Sequence, residues 1–161
     1  MKFRNEPTID SSTPNFSLWL PIDPNERILL QRKDERYPRW PNRWCTFGGR
    51  IEHGENSLDT ALREKYEELG KKIGLIGKPK FFVSSTWEEG EETQKRKVNA
   101  NYFATRFDGD LSKLVLGEGA GASIFDSDTI SHYNELGLVH VPNYQAIEKF
   151  YQSLKDGTFI F

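Results

Sequence analysis

The segment from Gly48 to Gly70, GGRIEHGENSLDTALREKYEELG, constrains the fold more than any other stretch of the chain. The apolar residues of positions 57–69 recur at helical spacing, and they are Leu58, Ala61, Leu62, Tyr66 and Leu69. Asn56 or Ser57 can cap the start of this helix. The segment also carries many carboxylates, which repel one another at close range. Water or a cation must screen them, so the segment predicts a helix with either a solvated acidic face or a cation site.

Short strands and a second helix are predicted around this segment. The β-rich or apolar runs lie at 16–22, 27–32, 44–47, 80–89, 98–107 and 122–126. The turn sequence DPNE between the first two runs predicts a hairpin, and the charged, proline-containing stretch 33–43 predicts an irregular loop. Apolar spacing over 143–157, after Pro142, predicts a C-terminal helix. This order of elements favours an α/β domain with a mixed β-sheet between helices.

Size and charge exclude several classes of protein. At 161 residues we expect an N-terminal arm at 1–14, or an added edge strand, and one domain at 15–161. A net charge of −2 gives no basic bias, so no nucleic-acid polymer is expected as a partner. No run approaches the ~20 apolar residues of a membrane helix, and the first residues lack a signal-peptide pattern, so we expect a cytoplasmic protein with no membrane partner. Cys45, the only cysteine, excludes an internal disulfide and fits a reducing compartment.

Three of the carboxylates share one side of the predicted helix. Glu64, Glu67 and Glu68 fall within roughly a 100° arc, and the apolar residues centre on nearly the opposite side. We therefore expect the acidic face not to be the one buried in the core. Hard oxygen ligands on a rigid helix suit Mg²⁺, which binds a few carboxylates together with waters and phosphate oxygens. The alternative is a solvated acidic face, which is common on exposed helices.

The spacing of glycines and charged residues from 49 to 71 resembles the Nudix box. Seven glycine or charged positions match that motif, and they are Gly49, Glu55, Arg63, Glu64, Glu67, Glu68 and Gly70. Lys65 and Lys71 stand where the family usually has aliphatic residues, and we expect the alkyl stem of Lys65 to pack on the core side of the helix. Phe47 stands where many members have proline. The resemblance implies a Nudix-type α/β/α sandwich.

The resemblance also implies roles for the acidic residues. Glu64, Glu67 and Glu68 are expected to bind Mg²⁺ or Mn²⁺ and to be catalytic, with Glu55 assisting. We expect Arg63 to orient Glu55 or Glu64 by ion pairing rather than to contact substrate.

Residues on either side of the box helix are expected to complete the site. Gly48 and Gly49 permit a tight loop and can place backbone groups near a bound diphosphate. Glu118, within LGEGAGASIF, is similar to a family acid that ligates metal or acts as a base, and the alternative is an ordinary loop carboxylate. Four acids compete for that role, although their run predicts a solvated hairpin tip; they are Glu88, Glu89, Glu91 and Glu92. Glu52 is expected to be a surface acid.

Substrate contacts are expected from strand ends and aromatic side chains. Arg32 resembles the family arginine that contacts a substrate phosphate, with a surface ion pair as the alternative. Trp44 is the aromatic that we assign to base stacking, although each aromatic near the cleft is individually more typical of a core; the others are Trp40, Trp87 and Phe47. Asn143 can bind a base edge, but a helix N-cap is the favoured interpretation. The three histidines, His53, His132 and His140, lack zinc spacing and receive no role.

These residues favour Mg²⁺-dependent hydrolysis of a small-molecule nucleotide. The leading hypothesis is a nucleoside triphosphate pyrophosphohydrolase that releases NMP and pyrophosphate. The first alternative is a nucleotide-sugar hydrolase of the GDP-mannose type, because the loop 33–47 and the N-terminal arm resemble that branch, whose protomers pair through such arms; a homodimer would follow. The second alternative is a non-catalytic regulatory domain that binds a nucleotide. Such domains usually lose box glutamates, whereas this chain retains them all.

Overall fold

The computed structural model describes residues 1–70, 72–90 and 95–161, so the expectations for Lys71, Glu91 and Glu92 lie outside the described residues. The strands are β1 (Lys2–Arg4), β2 (Asn15–Ile22), β3 (Ile28–Arg32), β4 (Trp44–Cys45), β5 (Phe47–Arg50), β6 (Leu75–Glu89), β7 (Arg96–Phe107) and β8 (Gly121–Phe125). The helices are α1 (Ser57–Leu69), α2 (Ser127–Glu135) and α3 (Val141–Lys155), with one 3₁₀ turn at Leu111–Lys113. None of the described helices has the length and apolarity required to cross a membrane.

The strands form one mixed sheet, as the sequence predicts. The order along the main path is β1-β6-β7-β2-β3-β4, while β5 pairs with β2 and β8 pairs with β3. β2 and β7 run parallel through eight residue pairs from Asn15↔Asn99 to Ile22↔Arg106, and the other pairings are antiparallel. β2 therefore pairs with both β5 and β7. Through this pairing, β5, which contains Gly48 and Gly49, lies near the middle of the sheet.

Two hydrophobic clusters cover the two faces of this sheet, because successive side chains of a strand point to opposite faces. Trp19 of β2 belongs to a cluster with Ala61 and Leu69 of α1. The next residue, Leu20, belongs to a second cluster that contains Ile130 of α2 and Phe150 of α3. The helices thus lie on opposite faces, which confirms the predicted α/β/α arrangement.

Most predicted elements are present, with two differences at the carboxyl-terminal end. The hairpin is confirmed by the antiparallel pair Ile22↔Ile28. α3 begins at Val141, so Pro142 lies in its first turn, where its missing N–H costs no helical hydrogen bond. Helix α2 was not predicted from the sequence. The sequence feature that could have indicated this helix is Asp126, the last residue of a predicted strand. In the structure Asp126 is the N-cap of α2 and accepts from Thr129 N at 2.7 Å.

The first fifteen residues are tied to the sheet by backbone pairing and by buried amides. β1 pairs antiparallel with β6 through Phe3↔Ser85. The fully buried Asn101 accepts from Thr8 N at 2.8 Å and donates to Thr8 O at 2.9 Å. The arm therefore contacts β6 and β7 of its own chain.

Candidate active site

Helix α1 buries Ala61 and Leu69 in the core as the spacing predicts, but it also buries Glu68, so the expectation that the acidic side is not buried is wrong for this residue. Asn56 caps it, accepting from Leu58 N at 2.9 Å and from Asp59 N at 3.0 Å. The buried residues of the helix are Ser57, Thr60, Ala61, Glu68 and Leu69. Leu62 and Tyr66, which the spacing assigned to the core side, are exposed. The small residues Ser57, Thr60 and Ala61 let this face approach the sheet closely. The carboxylates of Glu64 and Glu68 point towards β5 of the sheet. Lys65 lies half-buried with its ammonium 4.5 Å from the centroid of the Tyr66 ring.

The glycine pair on β5 allows this close approach. Gly48 has φ +121, and a Cβ there would lie 2.1 Å from Ser17 O on the adjacent strand. A Cβ on Gly49 would lie 1.9 Å from Glu64 Oε1, so the missing side chain leaves room for this carboxylate. The two glycines therefore have different roles. Gly48 permits the close pairing of β5 with β2, and Gly49 leaves space for the Glu64 carboxylate of α1.

Arg63 connects the loop before α1 with the acids of the helix. It donates to both carboxylate oxygens of Glu55, from Nε at 2.7 Å and from Nη2 at 3.0 Å. Its Nη1 donates to Glu64 Oε1 at 2.8 Å and to Glu67 Oε2 at 3.2 Å. The expected pairing of Arg63 with Glu55 and Glu64 is present. Hydrogen bonds from Arg63 and from Thr60 lower the pKa of Glu55 to about 2, so Glu55 is a permanently charged anchor for the guanidinium.

Glu68 is held by a separate set of partners. Its Oε1 accepts from Gln31 Nε2 at 2.7 Å and its Oε2 accepts from Gly48 N at 2.5 Å. The side chain is only 3% exposed, and Lys33 Nζ lies 3.9 Å from Oε1. Burial raises the pKa of Glu68 to about 8, against the opposing effect of the Lys33 charge. Because the Lys33 charge does not offset the effect of burial, a second cation close to Glu68 would be needed to favour its charged form at neutral pH.

Glu118 reaches the same site through Lys33. Lys33 Nζ donates to Glu118 Oε1, and Glu118 remains 56% exposed, on the loop before β8. Burial favours the neutral form of Lys33, but the contact with Glu118 and the charge of Glu68 raise its pKa overall. Lys33 received no role in the sequence analysis. Its part depends on a loop and a helix that are distant in the chain, so local spacing carries no signal for it.

The four acids thus form two pairs, each converging on one positive charge. Glu64 and Glu67 share Arg63, and Glu68 and Glu118 share Lys33. Burial raises the pKa of Glu64, and the nearby charges of Glu67 and Glu118 act in the same direction. Over residues 1–70, 72–90 and 95–161, no three acidic, histidine or cysteine side chains form a ready-made metal site. The carboxylate oxygens nevertheless fit a hard divalent cation, because two pairs of them already converge, one on Arg63 Nη1 and the other on Lys33 Nζ.

A cavity of about 110 Å³ lies next to these acids. Gly48 and Lys33, which contact Glu68, also line it. Its other lining residues come from the loop 33–43, from strands β2, β4, β6 and β7, from Thr46 between β4 and β5, and from the start of α3. They include Tyr37, Arg39, Trp40, Thr46, Trp87, Glu89, His140 and Asn143. The cavity is therefore adjacent to the acids, since Gly48 and Lys33 each contact Glu68 and also line the cavity.

The predicted substrate contacts are brought together only in part. Asn143 lines the cavity, but it lies within α3 and is not its N-cap; it accepts from Thr46 N and donates to Tyr102 OH, each at 3.2 Å. Trp44 packs edge-on against Phe125 with centroids 4.8 Å apart, and it does not line this cavity. Arg32 is exposed and donates to Asn42 at 3.4 Å.

Two cavity residues depart from the sequence expectations. Glu89 is not part of a solvated hairpin tip: its side chain is 8% exposed and accepts from Arg39 Nη1 at 2.9 Å and from Arg96 Nε at 2.8 Å. His140, which received no role, is buried beneath Trp40 with ring centroids 4.4 Å apart. The spacing of His140 gives no indication that it will contact Trp40, because the loop 33–43 and the start of α3 are far apart in the sequence and become neighbours only in the folded chain.

The buried His140 makes stability depend on pH. Burial lowers its pKa from 6.5 to about 4, so the unfolded chain binds this proton more readily than the folded chain does. Stability from this group is present above pH 6.5 and is lost as pH falls towards 4. We expect the difference in unfolding free energy between pH 7.5 and pH 5 to be about 2 kcal/mol smaller in His140→Gln than in the unchanged protein. Urea unfolding at both pH values measures it, and the exposed His132→Gln is the matched control.

Comparison with known proteins agrees with this fold. The family model for the NUDIX domain matches residues 12–146. Nudix hydrolase 3 of Arabidopsis thaliana is 34% identical over 67 residues, and the m7GpppN-mRNA hydrolase NUDT17 of Xenopus laevis is 33% identical over 64. These matches cover 41% and 40% of this chain but only 9% and 21% of the two relatives.

Solved structures show the same architecture. The MutT protein of Methanosarcina mazei superposes with a TM-score of 0.64 at 19% identity, covering 92% of this chain and 99% of that one. The dihydroneopterin triphosphate pyrophosphohydrolase of E. coli superposes with a TM-score of 0.61 at 18% identity, covering 84% and 93%. At these identities the likeness concerns the fold. Fold and family match together define the class, and the chain belongs to the Nudix family.

Proposed function

We propose that the chain is a divalent-cation-dependent hydrolase that cleaves a nucleoside triphosphate to NMP and pyrophosphate. The observation that supports this most is the convergence of Glu64 and Glu67 on one cationic atom, Arg63 Nη1, beside the buried Glu68. The names of two similar proteins point the same way, since one acts on m7GpppN-mRNA and the other on dihydroneopterin triphosphate.

Each acidic residue has a part in this proposal. Glu64, Glu67 and Glu68, with Glu118, would hold Mg²⁺ or Mn²⁺, and the ion would supply charge neutralisation at the phosphates. Arg63 is a positioning residue. Its two hydrogen bonds to the Glu55 carboxylate fix the guanidinium group, and the Nη1 of that group orients Glu64.

The remaining groups prepare the site for an anionic substrate. The Gly48 N–H holds one oxygen of Glu68 in place, so the other oxygen faces Lys33. Lys33 keeps a positive charge between Glu68 and Glu118, which limits repulsion between these acids and the incoming phosphates. During the reaction, water adds to a phosphorus atom, the bridge between the α- and β-phosphates breaks, and a site carboxylate takes the proton of the water.

A product analysis tests the proposal. The protein is incubated with ATP, GTP, CTP, UTP and GDP-mannose, with Mg²⁺ or with EDTA, and the products are identified by ³¹P NMR. We expect NMP and pyrophosphate from at least one triphosphate, with the rate in EDTA lower by about 100-fold or more. NMP and sugar phosphate from GDP-mannose alone would support the nucleotide-sugar alternative. The absence of metal-dependent turnover would support the regulatory domain, and release of orthophosphate would contradict the bond assignment.

A further inference from the structure

Three buried polar atoms around the cavity have no hydrogen-bond partner among the described residues. They are Thr46 Oγ1, Trp87 Nε1 and His140 Nε2. An unpaired buried polar atom costs about 1–3 kcal/mol, and folded proteins rarely retain several in one place. All three belong to residues that line the same 110 Å³ cavity, which adjoins the acids through Gly48 and Lys33.

We propose that this cavity binds the planar heterocycle of the substrate, and that Thr46, Trp87 and His140 read its hydrogen-bonding edge. This inference rests on the proposed function for the phosphate end of the substrate. It assigns specificity to three residues, none of which has a role in the acidic site or in the family motif.

The walls of the cavity favour a flat ring over other ligand chemistries. Tyr37, Trp40 and Trp87 supply aromatic surface, and the Trp87 and His140 ring centroids are 6.1 Å apart. An aromatic ligand can stack on such surfaces, whereas a sugar has no π-face. The wall from the loop is fixed by the ion pair between Arg39 and Glu89.

The unpaired atoms require at least one acceptor on the ligand and can also pair with donors beside it. An indole N–H only donates, so Trp87 needs an acceptor on the ligand. A hydroxyl such as that of Thr46 both donates and accepts. His140 is neutral near pH 7, because burial lowers its pKa to about 4, and a neutral imidazole carries one donor and one acceptor. Nucleobases and related fused heterocycles carry adjacent donors and acceptors at the edge of a flat ring, as alkyl chains do not.

Binding is measured in EDTA, so that the test does not depend on hydrolysis. Titration calorimetry compares AMP, GMP, CMP and UMP with ribose 5-phosphate, which has the same phosphate but no heterocycle. We expect at least one nucleotide to bind about 10-fold or more tightly than ribose 5-phosphate. Equal affinity for all five ligands would overturn the inference, even if the hydrolysis experiment succeeded.

Matched substitutions separate ligand recognition from folding. Thr46→Val and Trp87→Phe remove polar atoms that are unpaired in the free protein, so we expect unchanged or higher unfolding temperatures together with about 10-fold weaker nucleotide binding. Thr105→Val and Trp19→Phe are the controls, because Thr105 Oγ1 and Trp19 Nε1 are also buried and unpaired but lie outside the cavity lining. The controls should bind as the unchanged protein does. Unchanged nucleotide affinity in both Thr46→Val and Trp87→Phe would overturn the assignment, and His140→Gln tests the third residue in the same way.

Discussion

Glu67→Gln is expected to lower kcat at least about 100-fold while the unfolding temperature stays nearly unchanged. The Glu67 side chain is 58% exposed, and its ion pair with Arg63 has a length of 3.2 Å. Exposed ion pairs contribute about 0–1 kcal/mol to stability, so the substitution removes little of the folding free energy. It does remove one of the two carboxylates that converge on Arg63 Nη1, and with it a charge that the proposed cation requires.

Glu68→Gln gives a second and different test of the same proposal. Glu68 is buried and the pKa of its carboxyl is raised to about 8, so a neutral amide of similar size avoids the cost of burying charge. We expect kcat to fall at least about 100-fold here as well, with no loss of stability near pH 8. Initial rates with Mg²⁺ and thermal unfolding of the same samples measure both quantities. Glu135→Gln, on the exposed surface of α2, is the control. Rates close to the unchanged protein in both variants would remove the cation-ligand assignment.

The sequence predicts the acidic site better than it predicts the orientation of the helix that carries it. Spacing and resemblance together pick out Arg63 and its partners, because these contacts are made within 13 residues of chain. The buried face was assigned correctly for Ala61 and Leu69 but wrongly for Leu62 and Tyr66, which look like core residues on a helical projection. In the structure, the close contact with β5 selects the small residues Ser57, Thr60 and Ala61, and it takes Glu68 inside with them.

The sequence places Trp40 and Trp87 near a cleft, but the meeting of these rings with His140 could not be predicted, because no stretch of chain contains all three. Trp40, Trp87 and His140 come from a loop, a strand and the start of a helix, and each alone is typical of an ordinary core or surface position. Their meeting depends on the pairing of β2 with β7 and on the bridge between Trp44 and Val139, which brings the start of α3 beside the loop. The same argument applies to Lys33, whose two carboxylate partners lie 35 and 85 residues away.

Gly48→Ala is expected to destabilise the protein by about 3 kcal/mol, which corresponds to a fall of roughly 6–12 °C in unfolding temperature for a chain of this size. Two costs combine at this position. The φ of +121 is one that alanine adopts only with strain, and the added Cβ would lie 2.1 Å from Ser17 O in the adjacent strand. Because both atoms belong to paired strands, the sheet must open locally to relieve the contact.

Gly54→Ala separates the two costs. Gly54 also has a positive φ, +88, but a Cβ there meets nothing within 4 Å, so its expected loss is only about 1–2 kcal/mol of backbone strain. Urea unfolding of both variants gives the difference that belongs to the contact between strands. The Gly48 variant should also lose activity beyond its loss of stability, because the displaced strand moves the N–H that holds Glu68. If the two variants unfold at the same urea concentration, β5 does not require its close approach to β2, and the explanation given for the first glycine of the pair is wrong.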